Sequence, residues 1–203
     1  MPGVKRFDQE EALEKAMEAF WNHGYEGTSI QILEKETGVA RSSLYSTFGD
    51  KEALFLKALN RYESSCSGTV FGALHGGERA RDALLAMLRA HAGNLTSAAR
   101  PRGCLMTRVA AEKGSDPGVV GRTIRQRFSD LESGIYEAVR RGQQRGEIRA
   151  HEDPRALARF LVATLHGMAV ASHLQDDASV LRDVLRVAME RISLPSDTGD
   201  ESP

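Results

Sequence analysis

Several things are scarce in this chain, and each scarcity removes a class of explanation. Its 203 residues include only two cysteines, Cys66 and Cys104. Two thiols cannot form a disulfide framework, and no cysteine–histidine pair has zinc-ligand spacing. His75, His91, His166 and His173 are scattered along the chain, so no metal and no cofactor are expected. No apolar run approaches the roughly 18–20 residues of a membrane span, and no basic-plus-apolar leader precedes the first helical pattern. The cytoplasm is the expected compartment, with no membrane partner. Net charge is also lacking: it is −1, with a pI near 6.6, which argues against indiscriminate nucleic-acid binding.

What remains is a chain rich in helical periodicity. With 41% hydrophobic residues it can bury a substantial core without staples. Asp8 to about His23 places Leu13, Ala16, Met17, Phe20 and Trp21 on one face. Lys51 to about Ser64 does the same with Leu54, Phe55, Ala58, Leu59 and Tyr62. The glycine-rich stretch Ser67–Gly77 reads as a loop or helix break. Further helices are expected over Arg79 to about Ala98, Cys104–Glu112, Gly118 to about Arg145, from Pro154 onward, and Ser179 to about Ile192. No alternating strand pattern is found. The fold class is all-α, with a polar, disordered tail from Pro195.

The segment Thr28–Phe55 carries the most information. Thr28 followed by Gln31 predicts a capping box at a helix start, and Gly38 predicts its end through a left-handed C-cap. Val39–Phe48 then forms a second helix, with Val39, Leu44 and Phe48 inward and Arg41, Ser42, Ser43, Tyr45, Ser46 and Thr47 outward. Asp50 predicts the next N-cap, ahead of Lys51. Two helices around a glycine turn form a helix-turn-helix whose second helix fits a major groove. Few cations are available for that task. The first fifty residues carry more acids than bases, leaving Lys5, Arg6, Arg41 and Lys51 on the proposed DNA side. Hydroxyls and backbone N–H groups also bind phosphate, so the reading survives with modest non-specific affinity.

The run GVARSSLYSTFGDKEALF, with Phe20, Gly24, Tyr25 and Thr28 upstream, resembles the DNA-binding signature of the TetR family of bacterial transcriptional regulators. Glu34 departs from it where a small alanine is frequent, and Ser46 and Thr47 stand where histidines often follow the tyrosine. The resemblance implies about nine helices: a DNA-binding domain over residues 1–50, a connecting helix over 51–66, a C-terminal effector-binding and dimerisation domain over 67–194, and a tail over 195–203. It also implies a homodimeric one-component repressor, released from a palindromic double-stranded DNA operator by a small-molecule effector. Thr28, Arg41, Ser42, Ser43, Tyr45, Ser46 and Lys51 are the implied DNA contacts. No catalysis is expected.

Within the C-terminal region, Met87, His91, Met106, Phe128, Leu131, His166 and Met168 are the candidate effector-pocket residues. Methionine at helical spacing is more often core than recognition. Ala163, Gly167 and Ala171 recur every four residues and suit close helix approach. With Leu181 and Leu185 they form the candidate dimer interface, the alternative being packing within the monomer. Cys104, following Arg100 and Arg102 at a helix start, is a candidate redox or electrophile sensor, against the plainer reading of a small buried hydrophobe. A thiol enzyme pairing Cys104 with His91 lacks a third group to orient the histidine. A helical dimer without DNA binding is the other alternative.

Overall fold

A computed structural model describes residues 7–75, 79–98, 103–174 and 178–192. The expected tail, Lys5, Arg6, the turn at Pro101 and the Cys66 side chain lie outside what is described. Among the described residues every regular element is helical. There are ten α-helices, one more than expected, and a π-helical turn at Glu63–Ser67.

The chain forms two compact units. The first comprises residues 1–67 with 104–125, and the second residues 68–103 with 126–203. In the first, α1 (Gln9–Gly27) packs against α2 (Ile30–Thr37), α4 (Lys51–Tyr62) and α7 (Leu105–Lys113), while α3 (Arg41–Phe48) packs against α2 and α4. Asp8 starts α1 by accepting hydrogen bonds from the N–H groups of Glu10 and Glu11. The α1 stripe then buries Ala16, Met17, Phe20 and Trp21. Phe20 meets Phe55 edge-on at 5.1 Å between ring centroids, and Trp21 meets Tyr62 likewise at 4.8 Å. Arg61 of α4 ties back to Glu10 at 2.7 Å and to Glu14 at 2.8 Å.

Gly24 breaks α1 with φ 76° and ψ 178°, a conformation that glycine adopts without strain. The break also makes room for α7. A side chain at Gly24 would collide with the Glu112 carboxylate, which accepts a hydrogen bond from the Glu26 N–H at 3.0 Å. Lys113 reaches Glu26 at 2.5 Å and Asp116 at 3.0 Å. Those carboxylates raise the Lys113 pKa, and the Lys113 ammonium in turn lowers that of Asp116.

The second unit contains α5 (Gly68–His75), α6 (Ala80–Thr96), most of α8 (Val119–Gln144), α9 (Pro154–Leu174) and α10 (Ala178–Ile192). The expected break at Ser67–Gly77 is corrected by α5, which exists despite Gly68 and Gly72. Burial of Val70 and Leu74 in the packing of α5 on α6 outweighs weak propensity. The core continues through Leu84, Met87 and Leu88 of α6, Ile135, Ala138 and Val139 of α8, and Leu161, Leu165 and Met168 of α9.

One expectation about α9 also changes. By length and composition this 21-residue helix could cross a membrane, contrary to the expectation that no segment comes near. One of its faces, Leu157, Ala158, Leu161, Leu165, Met168 and Ala169, is buried against protein. Phe160 lies off that face and is 40% exposed.

Candidate nucleic-acid interface

The helix-turn-helix is delimited by four helix caps. Ser29, with extended backbone, caps α2 by accepting from the Ile32 N–H at 3.3 Å. Gly38 closes α2 in the left-handed region at φ 71°, its N–H bonded to the Glu34 carbonyl at 2.9 Å. Gly49, at φ 93°, ends α3 with its N–H on the Tyr45 carbonyl. Asp50 caps α4 through the Ala53 N–H at 2.8 Å.

The expected capping box is corrected: the cap is Ser29, and Thr28 is fully buried. Its hydroxyl donates to the Gly24 carbonyl at 2.6 Å and lies 3.3 Å from the Ala19 carbonyl. Thr28 points inward beside the kink at Gly24, with its hydroxyl on α1 carbonyls. In this structure Thr28 therefore presents no hydroxyl to DNA.

On α3, Leu44 and Phe48 are buried, and Arg41, Ser42 and Ser46 are exposed. Ser43 and Tyr45 are half-buried. The Arg41 guanidinium lies 5.4 Å from the Tyr45 ring centroid, one turn along the helix. The Ser46 hydroxyl donates to the Ser43 carbonyl at 3.0 Å, leaving its lone pairs outward. The helix begins without a local side-chain cap, because its N-cap residue is Ala40. Glu34 fills that role from α2, accepting the Arg41 N–H on Oε1 at 2.7 Å. Sequence reasoning left Glu34 without a function. The signal was available, since an alanine at an N-cap leaves helix donors to be satisfied from elsewhere.

Lys51 opens α4 with its ammonium 4.5 Å from the Tyr25 ring centroid, and the Lys113 ammonium lies 5.3 Å from the same centroid. Burial lowers the Lys51 pKa, partly offset by Glu26 and Glu112. Burial raises that of Tyr25, helped by Glu52. Lys51 is thus a positioned cation on a ring that is itself edge-on to Phe55.

The candidate effector residues divide between the units. Met106 is buried on α7 in the first, whereas Met87, His91, Phe128, Leu131, His166 and Met168 belong to the second. Met87 and Met168 are buried there. His166 stacks on Phe128 at 4.1 Å with an interplanar angle of 10°. The His91 Nε2 lies 2.9 Å from the Leu165 carbonyl. Burial lowers both histidine pKa values, that of His166 to about 4 with a contribution from His91. Both imidazoles are neutral at pH 7. Among the described residues no group of three or more metal-ligating side chains occurs.

Along α9, Phe160, Ala163, Gly167, Val170 and Leu174 are exposed and Ala171 is half-buried. Val187 of α10 is exposed as well and was missed in the sequence. Leu185 is half-buried. Leu181 is corrected: at 4% exposure it packs within its own chain and has no surface left for a partner. Cys104 is buried at the N-cap of α7, with its Sγ 3.2 Å from the Tyr62 hydroxyl.

Comparison with known proteins agrees with this geometry. The family described as "Bacterial regulatory proteins, tetR family" matches residues 12–58, and "Tetracyclin repressor-like, C-terminal domain" matches residues 80–188. The transcriptional repressor ComR of Escherichia coli is 33% identical over 91% of this chain and 87% of its own length. An uncharacterized regulator, YezE of Bacillus subtilis, is 29% identical over 91% and 96%. Among solved structures, the TetR family regulator CifR, carrying cysteine substitutions and bound to a 26-bp double-strand operator, superposes with a TM-score of 0.85. It is 29% identical, covering 94% of this chain and 99% of that one.

Proposed function

Because the chain belongs to the TetR family and is a DNA-binding transcriptional repressor, we propose that α3 reads its operator through Arg41, Ser42, Ser43, Tyr45 and Ser46. One observation carries this assignment: α3 buries Leu44 and Phe48 while leaving Arg41, Ser42 and Ser46 exposed. Arg41 has the reach and donors for guanine O6 and N7 or for a phosphate, and the hydroxyls accept or donate. Lys51, at the start of α4, contributes a phosphate contact. The test is fluorescence anisotropy on an operator selected from random duplexes. A folded Arg41→Ala, Tyr45→Ala double variant should lose specific binding, and unchanged affinity would remove α3 from the reading.

The protein acts as a homodimer in this proposal, pairing through α9 and α10. Support comes from the uncovered stripe Phe160, Ala163, Gly167, Val170 and Leu174, together with Val187. The small-molecule effector is assigned to the second unit, where His91, Phe128, Leu131 and His166 combine stacked rings with neutral imidazoles. Effectors found by thermal-shift screening should bind the operator-bound protein more weakly than the free protein, by the same factor with which they weaken DNA binding. Equal affinity in both states would exclude that ligand as an inducer. The cytoplasm is the compartment this function requires.

A second reading keeps the DNA-binding function and makes Cys104 the sensor. It rests on the place of the Cys104 Sγ, at the N-cap of α7 and 3.2 Å from the Tyr62 hydroxyl. Operator release on peroxide or electrophile treatment that disappears in Cys104→Ser would support it. Release that persists in that variant would exclude it.

A further inference from the structure

We infer that Glu34 is a positioning residue for sequence discrimination, acting as a clamp across the helix-turn-helix that sets how α3 is presented to DNA. The inference rests on the assignment of α3 as the reading helix.

The observations are local and independent of the residues that face DNA. Ala40 provides no side chain to cap α3, although its backbone, at φ −62° and ψ 144°, has the extended N-cap conformation. The Glu34 Oε1 instead accepts the Arg41 N–H at 2.7 Å, seven residues along the chain. This bond joins the body of α2 to the first residue of α3. Between them lies only the turn, in which Gly38 is left-handed and the Val39 N–H is held by the Thr37 hydroxyl at 3.2 Å. The contact is charge-assisted, and it places a carboxylate at the positive end of the α3 dipole. It uses the Arg41 backbone and leaves the guanidinium on the Tyr45 ring. Glu34 therefore fixes the start of the helix without consuming the side chain that reads.

A carboxylate near DNA has an opposing effect, since it repels phosphates. Reach and charge are separable by substitution. Glu34→Gln keeps an acceptor at the same distance and removes the charge. Glu34→Asp keeps the charge but is one methylene too short to bridge. Glu34→Ala has neither. The readout is the ratio of operator affinity to affinity for a scrambled duplex at fixed salt. A purely structural defect would lower active fraction and melting temperature without changing that ratio, so each protein is titrated for active fraction and its thermal midpoint recorded.

If the clamp positions α3, Glu34→Gln keeps the wild-type ratio while binding both duplexes more tightly. Glu34→Ala and Glu34→Asp lose discrimination by roughly three- to tenfold, the scale on which a lost helix cap acts. The inference is overturned if Glu34→Ala and Glu34→Gln behave alike, apart from Glu34→Asp and wild type, because charge alone would then account for Glu34. It is equally overturned if all three variants keep the wild-type ratio. A wild-type protein without operator preference would instead refute the underlying assignment of α3, and that failure is visible before any variant is made.

Discussion

Helices α3 and α9 each leave a face uncovered by their own unit, and the two faces are chemical opposites. On α3 the outward residues Arg41, Ser42 and Ser46 are polar, above a buried Leu44 and Phe48. On α9 the outward residues Phe160, Ala163, Gly167, Val170 and Leu174 are apolar or small, above a buried Leu161, Leu165 and Met168. A polar face needs no partner to be stable in water and is suited to one that it leaves again. An apolar face of five residues is a standing cost unless covered, which favours a partner that stays. The contrast supports the proposal that α3 serves reversible recognition and α9 lasting pairing.

The strongest way to break that contrast is to charge the apolar face. Gly167→Arg should destabilise the pairing by about 3–5 kcal/mol, because an unpaired guanidinium would be desolvated between helices. Light scattering should show a monomer with weakened operator binding, and a persistent dimer would move the interface elsewhere.

Next in size is the buried side of α9, where His166 stacks on Phe128. Its folded pKa of about 4 lies below the ordinary 6.5, and His91 is shifted in the same direction. Above pH 6.5 both folded and unfolded states are neutral, and these groups leave stability independent of pH. As pH falls from 6.5 toward 4, the unfolded chain takes up protons that the folded chain refuses, so stability is lost. For His166 the loss reaches about 3 kcal/mol at the bottom of that window. Urea unfolding at pH 7.5, 5.5 and 4.5 should show the decline, flattened in His166→Phe. A parallel decline in that variant would show that His166 is not responsible.

On the polar face, Arg41→Ala should weaken operator binding by about 1–3 kcal/mol and relax the preference at one base position, whereas Lys51→Ala should weaken all duplexes similarly and flatten the salt dependence. The smallest effect is at the cap. Ser29→Ala should lower stability by about 1 kcal/mol, measurable by thermal unfolding, with discrimination between duplexes unchanged.

The polar side of the comparison was the more legible in sequence, because each boundary there has a residue with a local chemical reason. Asp8, Gly38 and Asp50 could be placed from their neighbours alone. Thr28 and Ser29 could not be told apart, since both are hydroxyl residues before an apolar pattern. The decision comes from the kink at Gly24, against which Glu112 packs from far along the chain. Glycine count misled at α5, where burial on α6 won over propensity. On α10, apolar residues occur on more than one side, so periodicity could not say that Leu181 is core and Val187 is surface. Which methionines share a unit was also beyond the sequence, because Met106 joins the first unit through a tertiary return of α7.

That return has a consequence for how the protein is made. The bond from the Glu26 N–H to Glu112 spans 86 residues, and the first unit is completed only by the segment 104–125. A ribosome adding roughly 5–20 residues per second needs about 3–12 s to extend the chain from residue 67 to residue 125. For most of that interval α1 to α4 have been made and α7 has not, so the Glu112 carboxylate that will sit beside Gly24 is still to come. The part of the molecule that recognises DNA is thus nearly first in order of synthesis but is finished only after more than half of the chain has been made.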